Sequence, residues 1–309
     1  MEYTVNQVKV LSCNGVHRLN GVVYLPKASP KGILHIVHGM TEHIARYAST
    51  MAHFAALGYI VMGYDHLGHG YTVNEESELG FIAHKDGWKQ LVQDVKTFSD
   101  AMRKEYGKDL PYYLLGHSMG SFIVRLAAET PVRPDKLIIM GTGGPNPAAG
   151  AGLAVIGAVK ALKGAHHRSP LVRSLAFGSY NKRFGGGTAD DPSPWLTTDE
   201  EVRKRYYGEK LCTFKFTVSA MGDLIRLTKN ANRKGWYRNL DKSIPILLVA
   251  GEEDPVGNYG KGVEQVHRQL FKTGHSAQCI LYKDARHEIL NDHCAKKVLA
   301  DIQDFIEAT

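Results

Sequence analysis

Several short stretches of this chain are apolar almost without a break, and each is followed or preceded by a helical pattern. GILHIV at Gly32 to Val37, YIVMGY at Tyr59 to Tyr64, PYYLL at Pro111 to Leu115, KLIIM at Lys136 to Met140 and IPILLVA at Ile244 to Ala250 read this way. A strand with no polar alternation is one covered on both faces, which happens when helices pack on both sides of a parallel sheet. Helical spacing runs from Arg46 to Leu57 before Gly58, from Trp88 to Tyr106 before Gly107, from Ser118 to Glu129, from Gly260 to Thr273 and from Asn291 to Ile306. AQCILY at Ala277 to Tyr282 adds a late strand, and VNQVKVLS and NGVVYLP add two early ones. The alternation predicts an α/β fold with a mostly parallel sheet. It breaks from Gly143 to Leu240, where AGLAVIGAVKALKGAHHRSPLVRSLAF and the glycines 185 to 187 suggest a helical cap inserted into a body made of residues 1–142 and 241–309.

The sequence Gly116-His117-Ser118-Met119-Gly120 fits G-x-S-x-G and lies between a strand and a helix. A serine lifted onto so sharp a turn needs neighbours without Cβ atoms, because the flanking backbones come close together. The helix that begins there directs its N-terminal amides toward developing negative charge. Ser118 is therefore the candidate nucleophile. Its partners should follow in the order acid, then histidine, each in a loop after a late strand.

Asp254 ends IPILLVAGEED and precedes Pro255, and it is the last carboxylate before the chain turns. Glu252 and Glu253 compete for the role from one and two residues away. His287 follows CILYKDA in the same relation to its strand, whereas His267 falls in a helix, His275 before a strand and His293 near the last helix. A His287 ring placed between Ser118 and Asp254 would take the serine proton on one nitrogen and be oriented through the other. The oxyanion of an acyl-transfer intermediate needs two amides, for which the residue after the nucleophile, Met119, and the loop residue Met40 are the candidates. Gly39 would let that loop approach, and Gly39 and His117 are candidate substrate contacts. His38 reads as a structural histidine with its hydrogen bonds satisfied.

Other chemistries leave no trace in the sequence. The 309 residues carry a net charge of +7, yet the 38 Lys and Arg residues are spread out with no basic run interleaved with aromatics, so a nucleic-acid partner is not expected. The four cysteines, Cys13, Cys212, Cys279 and Cys294, lack metal-ligand spacing and read as free thiols. No cofactor or metal is expected. The N-terminus lacks the basic start and apolar stretch of a signal peptide, so the expectation is a cytoplasmic chain.

Taken together, HGMTEHIARY, DHLGHG, GHSMGS, GEEDPVG and ARHE resemble the monoacylglycerol lipase and lysophospholipase group of α/β-hydrolases, bacterial members above all, with a serine aminopeptidase S33-like character. The likeness extends through SLAFGSYNKRF at Ser174 to Phe184, but Tyr71-Thr72 and ADDPSPWL depart from the group. The resemblance implies the α/β-hydrolase fold with an eight-stranded sheet, and a serine esterase acting on monoacylglycerols or lysophospholipids through an acyl-enzyme. It implies the same triad, Ser118, Asp254 and His287, and the same amides of Met40 and Met119. A proline iminopeptidase-like aminopeptidase, with Glu200, Glu201 or Glu209 holding a free amine, and a short-chain carboxylesterase are the alternatives, followed by a non-catalytic binding protein. In the cap, Leu153, Val155, Ile156, Val159 and Leu162 stand beside Lys160, Lys163, His166, His167 and Arg168, a combination suited to peripheral membrane contact.

Overall fold

The computed structural model describes residues 2–308. Its strands are β1 (Tyr3–Leu11), β2 (Arg18–Pro26), β3 (Ile33–Val37), β4 (Ile60–Tyr64), β5 (Tyr112–His117), β6 (Lys136–Met140), β7 (Ile246–Gly251) and β8 (Ala277–Tyr282). They form one sheet in the order β1-β2-β4-β3-β5-β6-β7-β8. Only the β1–β2 and β2–β4 pairings are antiparallel; the rest of the sheet is parallel. As the unbroken apolar runs require, every residue of β3, β4, β5 and β7 is buried. The register brings Val37 opposite Gly116 and His117 opposite Met140. The carboxyl ends of β3, β5 and β6 thus finish side by side, where open α/β sheets form their ligand crevices.

The helices are α1 (Ala48–Ala56), α2 (Gly87–Tyr106), α3 (Met119–Ala127), α4 (Ala149–Lys163), α5 (Pro170–Phe177), α6 (Glu200–Gly208), α7 (Lys210–Thr213), α8 (Val218–Ala231), α9 (Lys234–Asn239), α10 (Lys261–Lys272) and α11 (Ala295–Glu307). One face of the sheet shares a core with α2, α3, α8, α9 and α10; the other is covered by α1 and α11. The last helix starts at Ala295 rather than Asn291, because Ile289–Asn291 form a separate 3-10 turn. Asp292 fills the gap and accepts hydrogen bonds from the amides of Arg286 and His293.

The stretch from 143 to 240 does not behave as one cap. Val218, Met221, Leu227 and Trp236 are buried in the same cluster as Leu91, Phe98, Phe122 and Leu126, so α8 and α9 belong to the body. Arg125, fully buried on α3, fixes them there. Its guanidinium donates to the carbonyl of Ala231 and to Asn232 Oδ1 at 3.0 Å, and lies 4.4 Å from the Trp236 ring. The carbonyl it meets ends α8 and would otherwise lack an intrahelical partner. Helices α4 to α7 and the loops between them form the outer part of the insertion, seated on the body through buried Ile156 and Val172.

Candidate active site

Strand β5 ends at His117, and Ser118 turns the chain into α3 with φ 55° and ψ −119°. A non-glycine residue rarely adopts positive φ, and such strain collects where a side chain must be presented. The turn is possible because of its glycines. A Cβ on Gly116 would meet the carbonyl of Gly120 and lie 2.6 Å from Val124 Cγ2, while one on Gly120 would run into the carbonyls of Val37 and His38. The Ser118 amide donates to Met140 O at 2.9 Å, which pins the corner to the neighbouring strand.

Asp254 and His287 come from the loops after β7 and β8. The Ser118 hydroxyl donates to His287 Nε2 at 2.8 Å, and His287 Nδ1 donates to Asp254 Oδ2 at 2.8 Å. Asp254 Oδ1 accepts from the Val256 amide at 2.8 Å, and the carboxylate is completely buried. Glu252 is exposed and Glu253 half-buried, and neither meets His287. The two loops can lie so close because Gly251 has no side chain: a Cβ there would strike the carbonyls of Ala285 and Arg286.

Beneath these three residues lies an ionic network that the sequence did not announce. His117 is buried, and its Nδ1 donates toward Glu42 Oε1 at 3.1 Å and Tyr47 Oη at 2.9 Å; its Nε2 donates to the His287 carbonyl at 3.3 Å. Both ring nitrogens face oxygen acceptors, an arrangement that favours the imidazolium. Burial alone would lower its pKa, but the hydrogen bond and charge of Glu42 outweigh that and raise it. Burial pushes the Glu42 carboxyl the opposite way and is again overcome, here by His117 and Arg46, which hold its pKa well below the usual range. His117, expected as a substrate contact, is thus turned into the core, because its ring completes a buried ion pair.

Glu42 also accepts from the Gly39 amide and from Arg46 Nη1 at 3.0 Å. Arg46 in turn grips Glu288, next to the triad histidine, at 2.7 and 2.8 Å. One carboxylate therefore ties the 39–40 loop to the residue before Ser118 and, through Arg46, to the residue after His287. Gly39 sits tight against the elbow, where a Cβ would lie 3.0 Å from that of Ser118. Met119 follows Ser118 and opens α3, and Met40 follows Gly39, the residue packed against the elbow. His38 is satisfied by the Gly39 carbonyl at 2.8 Å and the His66 amide at 3.0 Å; burial holds its ring neutral.

The sequence model described as serine aminopeptidase, S33, matches residues 28–293. The chain belongs to that family. Human monoglyceride lipase is 36% identical over 107 residues, 34% of this chain and 33% of the human one. The chain thus matches about a third of the length of the human and mouse monoglyceride lipases. Monoacylglycerol lipase of Mycolicibacterium smegmatis is 25% identical over 289 residues, 92% of this chain and 91% of that one. A highly thermostable carboxyl esterase from Bacillus coagulans, solved in complex with glycerol, is 29% identical over 98% of both chains with a TM-score of 0.91. The fold is that of the α/β-hydrolases, and the chain is similar to the monoglyceride lipase group.

In this S33 chain the roof of the site is the loop between α5 and α6. Trp195 packs on the His287 ring with centroids 5.1 Å apart, and Tyr180 meets Trp195 edge-on at 5.0 Å. Neither residue was singled out from the sequence. Glu200 and Glu201 are exposed, with Glu201 paired to Lys204; Glu209 engages His43 Nε2 at 2.5 Å. Glu201 and Glu209 thus already have protein partners. His43, Glu209 and Cys212 gather within 4.8 Å as the one candidate metal cluster among the described residues. Burial pushes the Cys212 thiol well up, however, which disfavours the thiolate that a metal needs. Among the described residues no helix is long and apolar enough to cross a membrane.

Proposed function

We propose that this chain is a serine esterase that hydrolyses carboxylic esters of fatty acids, with monoacylglycerols or lysophospholipids as substrates. The observation that carries this reading is the continuous relay from the Ser118 hydroxyl through His287 to buried Asp254, each link 2.8 Å long. In the reaction Ser118 Oγ attacks the ester carbonyl as His287 Nε2 takes its proton. The Met40 and Met119 amides stabilise the oxyanion, and Asp254 stabilises the imidazolium. Collapse of the intermediate expels the alcohol, which receives its proton from His287 and leaves an acyl-Ser118 ester. Water, activated by the same histidine, then releases the fatty acid.

Support for an ester rather than a peptide comes from the relatives, two named as lipases of monoglycerides or monoacylglycerols and one as a carboxyl esterase bound to glycerol. Glu209, one of the carboxylates expected to hold a substrate amine in an aminopeptidase, is already engaged by His43. The same reading has the insertion meeting a lipid surface through Leu162, Leu171 and Leu175, exposed on α4 and α5. The test is a panel of monoacylglycerols of several chain lengths, lysophospholipids, short esters and a prolyl amide, with a fluorophosphonate probe reporting on Ser118. Long-chain esters should be turned over fastest. Cleavage of the prolyl amide alone would establish the aminopeptidase instead, and a silent panel with an unlabelled Ser118 would leave a binding protein.

A further inference from the structure

The two edges of the sheet are finished differently. β1, at one end, carries an exposed Lys9 beside exposed Asn6 and Gln7, and a charge on an outer strand discourages pairing with another chain. β8, at the opposite end, reads AQCILY without a charge or a proline, and its register on β7 runs through without a bulge. In that register the Ile246 amide donates to Ser276 O and the Glu252 amide to Tyr282 O, both at 2.9 Å. Residues 276, 278, 280 and 282 therefore bond inward to β7, while Ala277, Cys279, Leu281 and Lys283 turn amide and carbonyl to the free side.

Two histidines close the ends of this open row. His267 Nε2, from α10, donates to Ala277 O at 2.9 Å, and His293 Nε2, from the turn before α11, donates to Lys283 O at 3.2 Å. Between them the outward amides and carbonyls of Cys279 and Leu281 meet no hydrogen-bond partner among the described residues. The open stretch is thus centred on Ile280, with one capped carbonyl at an equal distance along the strand on each side.

A row centred in this way is complementary to itself. With a second copy of β8 laid antiparallel about Ile280, Cys279 of each copy comes opposite Leu281 of the other, and such a pair exchanges both of its amide-to-carbonyl bonds. The two-fold axis stands perpendicular to the sheet, so the two α10 helices lie on the same face. Contacts fix the levels along α10. A Cβ on Gly260 would lie 2.8 Å from Leu281 Cδ1, and burial together with the charge of Glu264 pushes the Cys279 thiol up to about 11. Lys261 accordingly stands at the level of Leu281 and Glu264 at that of Cys279. The axis that exchanges those levels sets Lys261 of one copy against Glu264 of the other. Both side chains are exposed, and Glu264 holds only Arg268, at 3.4 Å on open surface, a contact of small worth. Phe271, 72% exposed and one turn beyond His267, adds apolar surface on the flank of the same edge.

We infer that β8 is a self-association edge, through which two copies of this chain join by antiparallel pairing about Ile280, with Lys261 and Glu264 matched across the axis. The experiment follows the oligomeric state of the full chain by light scattering over a dilution series, with amide hydrogen exchange read at Cys279 and Leu281. Wild type should be a dimer that dissociates on dilution, and the two amides should be protected in the dimer and exchange freely in the monomer. Glu264→Lys brings like charges together on both sides of the axis and should raise the dimer dissociation constant at least about tenfold. Lys261→Glu combined with Glu264→Lys should bring it back near wild type. Cys279→Pro removes an outward amide that β7 does not use and should leave only monomer.

If the proline variant loses its cooperative melt, the charge pair decides alone, since both of its residues are exposed on α10. A chain that is monomeric at every concentration overturns the assignment, as does a dimer whose Cys279 and Leu281 amides exchange freely. A dimer that Glu264→Lys leaves intact, or that the double exchange fails to restore, overturns it too.

Discussion

The floor of the site and the roof above it are built on opposite principles. In the floor, Glu42, Arg46, His117 and Glu288 are buried or nearly so, and each charge has an opposite charge within hydrogen-bond reach. In the inserted helices next to the roof, Leu162, Leu171 and Leu175 on α4 and α5 are more than half exposed, and only Ala149, Ile156 and Val172 of those two helices are buried. A fully partnered buried network holds one geometry and is costly to disturb. Exposed leucines on inserted helices leave an apolar outer face available to a ligand or an interface. The difference separates a body whose paired charges fix the catalytic geometry from an insertion whose outer face is apolar and open. Substitutions in the two regions should therefore fail in different ways.

The largest effect is expected from the body. Ser118→Ala should abolish ester turnover, a loss on the order of a millionfold, while the thermal melt stays near wild type. A variant with substantial residual rate would mean that the nucleophile lies elsewhere. Next comes Asp254→Asn, whose amide would favour the wrong tautomer of His287; a loss of about ten-thousandfold in kcat is expected. Glu252→Gln and Glu253→Gln should be mild, since neither side chain reaches the ring. Were Glu253→Gln the crippled variant, the hydrogen bond from His287 to Asp254 would not be the functional one.

How much of this was legible follows from what kind of information each residue carries. Ser118, Asp254 and His287 stand at strand ends in a fixed order, so local pattern alone selects them, and the geometry brings the three together. The Glu42 network was not legible, because its members lie at positions 42, 46, 117 and 288 and meet only when β3, β5 and β8 end together. A hint existed: Glu42 and Arg46 are spaced as helical neighbours just after the glycine loop. The place of α8 was misread because Ser219 and Asp223 interrupt its apolar face, yet Ser219 is bonded to the Ala83 carbonyl and Asp223 is buried against Gly87. Trp195 lies in a proline-rich stretch without periodicity, so only tertiary closure shows what it touches.

The buried network gives a third, intermediate prediction. Glu42→Gln should cost about 3–5 kcal/mol of stability, as breaking a buried pair does, because it strands the His117 imidazolium. The pH dependence follows from the two directions of shift. His117 has its pKa raised above 6.5, so its contribution is complete below about pH 6.5 and fades as pH rises through the folded-state value. Glu42 has its pKa lowered from 4.5, so its contribution is complete above about pH 4.5 and fades as pH falls toward the folded-state value. The stability gap between wild type and Glu42→Gln should therefore be widest between those limits and narrow above them. Urea melts at a series of pH values measure it, and a gap independent of pH would show that His117 is neutral.

The smallest effect belongs to the roof, where the structure sharpens what the sequence suggested. Lys160 does not face solvent freely: it donates to the His84 carbonyl and to Ser219 Oγ at 3.1 Å, joining α4 to the body. Arg168 is spent likewise on the carbonyls of Leu79 and Lys215, at 2.8 and 3.1 Å. Reversing either charge would damage the seat of the insertion and confuse a binding measurement. Lys163 and Arg173 remain, both exposed and close in sequence to exposed Leu162, Leu171 and Leu175. Apolar side chains entering a lipid interface beside two cations should favour anionic vesicles by roughly 1 kcal/mol per cation at low salt. Lys163→Glu should accordingly weaken sedimentation with anionic vesicles by about fivefold or somewhat more, since it adds a repulsive charge to the attraction it removes. The loss should shrink as salt is raised, because exposed charges are screened. Hydrolysis of a soluble short ester should not change, for Lys163 lies away from the triad. If vesicle binding and lipid turnover are both indifferent to Lys163→Glu and to salt, the open leucines of α4 and α5 serve the lid alone, and the substrate reaches Trp195 from solution.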